Sequence, residues 1–387
     1  MKDSFLQKEY GLKDSQLFKS RTATKDDVKL IVSRKREQKT YDKILEDSMK
    51  TSKTNFLVFF VGNYGMGKTL SLLDVKERAN NKGAYPIYLT LQSEEKISKP
   101  EVDFIQRVLK EINFDEIKVE TDTINELKKI YPDVGNVFQR IFTGEIQTSL
   151  YPARKNPLRN LAISFLVGDV SPTKNELNKI GVIRKIDRVR IAKEYLIGLL
   201  YILGSSGFQS LVICVDEFEY LFSVLSKSQQ STVLAFFRSL YDLQIAIPDS
   251  LKSNAANMAL FIAVSSDGWK KLTTLGDKER KTGGPINALK ERITELISLD
   301  PLTEKDTINL IEKRLSYDRV RGKYKNEPLI PFTDDFVEYL FKLTQGTPRE
   351  IIVRCDSVLD RGLEKEVPRL TKEFAKEVFK ERGLSYI

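Results

Sequence analysis

The sequence predicts an α/β protein: a parallel sheet of about five strands, a helical insertion within it, and a helical domain after it. Three observations predict this. Phe56–Val61, Leu211–Val215 and Ala259–Val264 are short, continuous apolar runs, the pattern of strands buried on both faces of a parallel sheet. The first run leads straight into a glycine-rich turn that opens a helix. From Leu302 onward the strand signals stop, and capped helical periods follow one another.

Each element follows in order. Residues 1–54 form a leading segment: about 30 polar residues expected to lie over the surface as a strap, then a helix from Val28 to Met49 with Ile31, Tyr41, Ile44 and Leu45 on its apolar face. Residues 55–300 form the core. After the first strand come a helix from Lys68 to Asn80, a strand at Ala84–Leu91 and an amphipathic helix at Glu101–Ile112. Residues 113–187 break the alternation with Pro132, Pro152, Pro157, Pro172 and several short helical patterns, and read as a helical insertion. Alternation resumes with a helix at Val189–Leu203, the Leu211 strand, a helix at Gln229–Leu243, the Ala259 strand and a fifth strand within Ile293–Leu299. Residues 301–387 form a lid of four helices. Thr303 and Asp306 begin the first as a capping box, Thr333 caps Asp334–Thr344, and Arg349–Gly362 and Thr371–Arg382 complete it.

Composition narrows the function classes. The chain of 387 residues is 41% hydrophobic and 30% charged, as expected of a globular protein with a sizeable core. No apolar run of the roughly 18 residues needed to span a bilayer exists, and no apolar leader follows Met1, so a cytoplasmic protein is expected. Cys214 and Cys355 sit in apolar surroundings and read as core thiols. With no histidine and no cysteine cluster, no zinc site is expected. The Lys and Glu richness resembles that of thermophile proteins. The net charge is +9, and residues 147–190 hold nine Lys/Arg against three Asp/Glu.

The chemistry lies in the turn. Gly62-Asn63-Tyr64-Gly65-Met66-Gly67-Lys68-Thr69 matches G-x-x-x-x-G-K-[ST] completely, in the right strand-to-helix context for a P-loop. Glycines let the backbone wrap the phosphates of ATP with N–H groups inward, and the helix N-terminus adds a positive dipole end. Lys68 reaches the terminal phosphates, Thr69 holds Mg²⁺, and Leu70 closes the nucleotide-binding stretch. The Leu211 strand ends in Asp216-Glu217, two carboxylates at the edge where open α/β sheets bind ligands. Asp216 supports Mg²⁺, and Glu217 orients and deprotonates the attacking water, with Glu219 as the alternative base. The Ala259 strand ends in Ser265-Ser266, where a hydroxyl could hold the water or γ-phosphate, or serve ordinary turn chemistry. The fold class is therefore a P-loop NTPase parallel-sheet core with a helical insertion and a C-terminal helical lid.

The order of P-loop, Asp-Glu strand, Ser-ended strand and helical lid resembles the AAA+ ATPases over about residues 28–365. In that resemblance Gly346-Thr347-Pro348-Arg349 looks like the sensor-2 motif, which implies that Arg349 reaches the γ-phosphate. Ile31–Glu37, with Arg34 and Glu37, resembles the N-terminal box that covers the adenine. Asn287–Ile293 resembles the segment bearing the arginine finger, with Arg292 the candidate and Arg280 the reserve; either could equally be a solvated charge. The stretch from Phe165 to Leu221, with the G-x-Y-G-x-G-K loop, is similar to the ATPases of phage-exclusion (BREX-type) gene clusters. Less closely, the layout resembles archaeal origin-recognition (Orc/Cdc6-like) ATPases and the ATPase regulators of DNA transposition. About 25 residues follow Gly362, fewer than the winged helix of the origin-binding proteins requires, so origin binding of that kind is not expected.

The resemblance implies Mg-dependent ATP hydrolysis in a homo-oligomer, a ring or spiral of about six subunits. Two partner classes stay open, and neither is a membrane. One reading is a DNA-associated motor or switch in genome defence or mobile-element processing, through Arg154, Lys155, Arg159, Lys174, Lys179, Arg184, Lys185, Arg188 and Arg190 of the insertion. The other is a protein-directed signalling or remodelling ATPase, marked by an exposed apolar patch on residues 113–187. A third is a nucleotide-dependent scaffold, which the intact Glu217 opposes. Tyr151 and Phe165 read as core residues.

Overall fold

The apolar runs form β1 (Phe56–Val61), β2 (Tyr85–Thr90), β3 (Ser210–Asp216), β4 (Asn257–Val264) and β5 (Glu295–Ser298), in one sheet ordered β2-β3-β4-β1-β5. The structure is a computed structural model and describes residues 2–14, 18, 23–50, 53–91, 99–142, 157–278 and 285–384. The pairs β1–β4, β3–β4 and β2–β3 are parallel. Every residue of β3 and β4 is buried, which is why these strands carry no polar alternation. β2 alternates in burial and contains Pro86, tolerated because this strand lies at the sheet edge.

The chain divides into two compact units, residues 40–61 with 75–297, and residues 1–39 with 62–74 and 298–387. The first holds the sheet strands and the insertion. There, Thr121–Ile130, Pro132–Phe142, Pro157–Val167 and Lys174–Lys179 are helices. Pro132 and Pro157 stand at the first helical position, where the missing N–H costs nothing. These elements share an apolar cluster with Val189–Ser205, a helix buried almost all round.

The second unit contains helices Glu304–Asp318, Asp334–Thr344, Pro348–Glu364 and Lys372–Glu381, with the Thr303–Asp306 capping box in place. The leading residues depart from expectation here. Instead of a strap over the surface, Lys2–Tyr10 is helical, and Leu6, Tyr10, Leu12 and Phe18 enter this unit's core. Tyr10 also donates a hydrogen bond to the Val367 carbonyl at 2.6 Å. The helix expected over Val28–Met49 is also corrected. It is split into Lys25–Val28 and Lys35–Ser48, because Ser33 has φ 57°, a left-handed conformation that an α-helix does not contain. Among the described residues no helix is long and apolar enough to cross a membrane.

Candidate nucleotide site

The phosphate loop starts where β1 ends, and Lys68 and Thr69 are the first two residues of helix Lys68–Asn81. Its glycines have distinct reasons. Gly67 has φ +91° with open space around it, so only its backbone conformation demands glycine. Gly65 has φ +81° and also lacks room, since a Cβ there would come within 2.8 Å of Arg349 Cβ.

Three cations gather on this loop. Lys68 Nζ donates to the Gly62 carbonyl at 3.0 Å and to that of Asn63 at 3.3 Å. Arg34 Nη2 donates to the Met66 carbonyl at 3.3 Å and to the Asp300 carbonyl at 2.8 Å, while Nη1 lies 3.5 Å from Glu37. The left-handed turn at Ser33 immediately precedes Arg34 and sets its approach. Arg349 donates its backbone N–H to the Gly65 carbonyl at 3.3 Å, with its guanidinium 4.7 Å from the Tyr64 ring centroid. Local sequence explains its placement. Gln345 and Gly346 both take left-handed conformations and end one helix, and Pro348 starts the next, so Arg349 falls in a first helical turn. Lys68 and Arg349 make no ion pair among the described residues, so their charges are not cancelled by a nearby carboxylate. Met66 is buried, Leu70 half-buried, and Asn63 and Tyr64 exposed.

The carboxylates lie at the end of β3. Asp216 is 4% exposed; its Oδ1 accepts the Glu217 N–H at 2.9 Å and its Oδ2 accepts the Tyr88 hydroxyl at 2.8 Å. Tyr88 is a residue the sequence reading missed. Burial, and after it the Asp216 charge, pushes its pKa well up, so it stays a donor. Glu217 has φ 57°, a strained conformation for a non-glycine residue that costs about 1–3 kcal/mol. Its neighbour holds the turn shut. Phe218 is wholly buried, donates its N–H to the Ala263 carbonyl at 3.2 Å, and meets Phe59 and Phe237 edge-on. Glu219 Oε2 is buried with no hydrogen-bond partner among the described residues, beside Gly268, where a Cβ would come within 2.8 Å of Glu219 Cβ. Ser265 Oγ accepts the Gly268 N–H at 3.0 Å, which is turn chemistry at the start of helix Ser266–Lys278 and leaves the hydroxyl proton for another acceptor. Thr69 and Asp216 each carry a hard oxygen of the kind that Mg²⁺ takes.

The remaining candidates are placed differently. Arg292 lies 3.5 Å from Asp242 and 3.3 Å from Glu291 of its own chain. Arg280 lies outside the described residues, as do Tyr151, Pro152, Arg154 and Lys155. Within the insertion, Arg184 bridges Asp133 at 3.0 Å and Glu194 at 2.8 Å, and Arg159 pairs with Asp115. Arg190 is 4.0 Å from Glu194. Lys174, Lys179, Lys185 and Arg188 are exposed and make no ion pair among the described residues. Phe165 is a core residue, edge-on to Tyr195.

Residues 115–374, more than half of the chain, match the family model described as BREX system ATP-binding protein BrxC/D. The match begins beyond the phosphate loop, so the loop and the family point to a nucleotide through different residues. An uncharacterized HTH-type transcriptional regulator of Methanocaldococcus jannaschii is 29% identical over 112 residues, which is 29% of this chain and 26% of the relative. The chain thus spans about a quarter of the length of that curated relative. Among solved structures, the Aeropyrum pernix Orc1 protein in complex with DNA aligns over 96% of this chain and 70% of its own, at 12% identity and TM-score 0.52. Cdc6p from Pyrobaculum aerophilum aligns over 96% of this chain and 71% of its own, at 13% identity and TM-score 0.48. At such identities the Orc1 likeness bears on the fold alone.

Proposed function

Because the chain belongs to the BrxC/D family of BREX system ATP-binding proteins, we propose that it hydrolyses ATP and works as an oligomeric, DNA-associated motor or switch in genome defence or DNA processing. The observation that supports the enzymatic part is the convergence of Lys68, Arg34 and Arg349 on one phosphate loop. The backbone N–H groups from Gly62 to Thr69, with Leu70 behind them, hold the phosphates. Lys68 and Arg349 offset the negative charge that builds on the terminal phosphoryl group, and Arg34 braces the loop by fixing the Met66 carbonyl. Thr69 and Asp216 would hold Mg²⁺, which supplies charge neutralisation to the phosphate oxygens. Tyr88 fixes one Asp216 oxygen and the Glu217 N–H the other. Glu217 takes the proton of the water that attacks the γ-phosphorus; the bond to the bridging oxygen breaks, leaving ADP and phosphate. Ser265 orients that water, and Arg292 acts on a neighbouring subunit's nucleotide in a homo-oligomer of about six.

The DNA reading rests on Lys174, Lys179, Lys185 and Arg188, exposed cations that make no ion pair within 4 Å among the described residues. A protein-directed ATPase is the second reading. It is favoured by Ile130, Val170 and Ile183, which the insertion exposes, Ile183 at 86%. ATP turnover of the purified protein with and without double- and single-stranded DNA, at two salt concentrations and with Glu217→Gln as control, separates them. Stimulation by DNA that fades with salt and disappears in the variant supports the first reading. Glu217-dependent turnover that is indifferent to DNA supports the second.

A further inference from the structure

Tyr64 is 72% exposed, so it does not fill a core, and the phosphate loop asks for no particular side chain at its position. What its ring does touch is a cation: the Arg349 guanidinium lies 4.7 Å from its centroid, well within the range of cation–π attraction. The same arginine is fastened to the same loop by its backbone, through the Gly65 carbonyl at 3.3 Å and the tight approach of its Cβ to Gly65. Arg349 makes no ion pair among the described residues, so the ring face is an anchor that leaves its full charge to act on an anion.

We propose that Tyr64 is a positioning residue that holds Arg349 on the phosphate loop, set to read the terminal phosphate of the nucleotide. The inference rests on the nucleotide reading above and deepens it. Arginine is long and rotatable, and a side chain confined before binding loses less freedom when it meets its ligand. The contact uses the ring face and not the hydroxyl, so phenylalanine preserves it and leucine, which has no quadrupole, removes it. An exposed cation–π contact corresponds to about a two- to fivefold change in an equilibrium constant, and that is the size of effect expected.

The test measures the affinities of a non-hydrolysable ATP analogue and of ADP, with kcat and KM for ATP, in wild type, Tyr64→Phe, Tyr64→Leu, Arg349→Ala and the Tyr64→Leu/Arg349→Ala double variant. Tyr64→Leu is expected to weaken the ATP analogue relative to ADP by about two- to fivefold. Tyr64→Phe is expected to match wild type, and Tyr64→Leu to have no further effect once Arg349 is alanine. Three results would overturn the inference: no change in Tyr64→Leu, an equal loss for both nucleotides that persists in the Arg349→Ala background, or tighter ATP binding. Wild-type protein with no affinity for either nucleotide would instead overturn the nucleotide reading itself.

Discussion

The phosphate loop and the insertion both concentrate positive charge, and they treat it in opposite ways. On the loop, Lys68 rests on backbone carbonyls and Arg349 on an aromatic ring, so each is held by groups that do not cancel its charge. In the insertion, Arg184 and Arg159 are consumed by Asp133, Glu194 and Asp115 of the same fold, and Arg190 lies close to Glu194. A charge held by a dipole or a quadrupole remains available to a ligand, whereas one held by a carboxylate is already spent on structure. The nine basic residues counted from sequence thus overstate what the insertion offers a polyanion, and four exposed ones, Lys174, Lys179, Lys185 and Arg188, make no ion pair among the described residues.

That contrast can be broken at either end, and the largest expected effect is on the loop. Lys68→Ala should lower ATP turnover by about 10²–10³-fold, the usual consequence of removing one preorganised charge-stabilising donor, with the circular dichroism spectrum unchanged. In the insertion the same kind of truncation should act on stability instead. Arg184→Met leaves the buried Asp133 carboxylate without its cation and Glu194 with only Arg190 at 4.0 Å, and should cost about 2–3 kcal/mol in urea unfolding. The value sits below the usual range for broken buried pairs because the guanidinium is over a third exposed. Tyr88→Phe sharpens the comparison from the carboxylate side. It removes one donor to Asp216 and should cost about 1–2 kcal/mol of stability, with weaker Mg²⁺ dependence of turnover as a second readout. The smallest effect is expected from Lys185→Ala with Arg188→Ala. Stability should stay within about 0.5 kcal/mol, while the slope of log affinity for DNA against log salt should fall by about 2.

Much of the frame could be read from the sequence, because it depends on short-range signals. A complete P-loop motif after an apolar strand, an Asp-Glu strand end, the Thr303–Asp306 capping box and a proline opening the Arg349 helix are each local, and the structure contains them at the expected residues, whereas Thr333 stands at its helix start without a side-chain cap. What escaped the reading depends on tertiary placement. Tyr88 meets Asp216 only because β2 pairs with β3 in the register Tyr88↔Cys214, which no spacing along the chain encodes. The polar leading segment hides isolated apolar residues, Tyr10, Leu12 and Phe18, which meet Val367, Arg319 and Phe332, each more than 300 residues away in sequence. The helix at Val28–Met49 had an adequate apolar face, but the left-handed turn at Ser33 interrupts it beside Arg34 and the phosphate loop. Neutralisation of the insertion's arginines is likewise invisible to a charge count.

The most direct test of hydrolysis at this site is a paired measurement on Glu217→Gln: ATP affinity by calorimetry and steady-state turnover, each against wild type. In the proposed mechanism Glu217 deprotonates water and does not hold the phosphates, so the expected result is affinity within about twofold of wild type and turnover lower by about 10²–10⁴-fold. Turnover that survives the substitution would contradict it, and would move the catalytic base to another group at the end of β3.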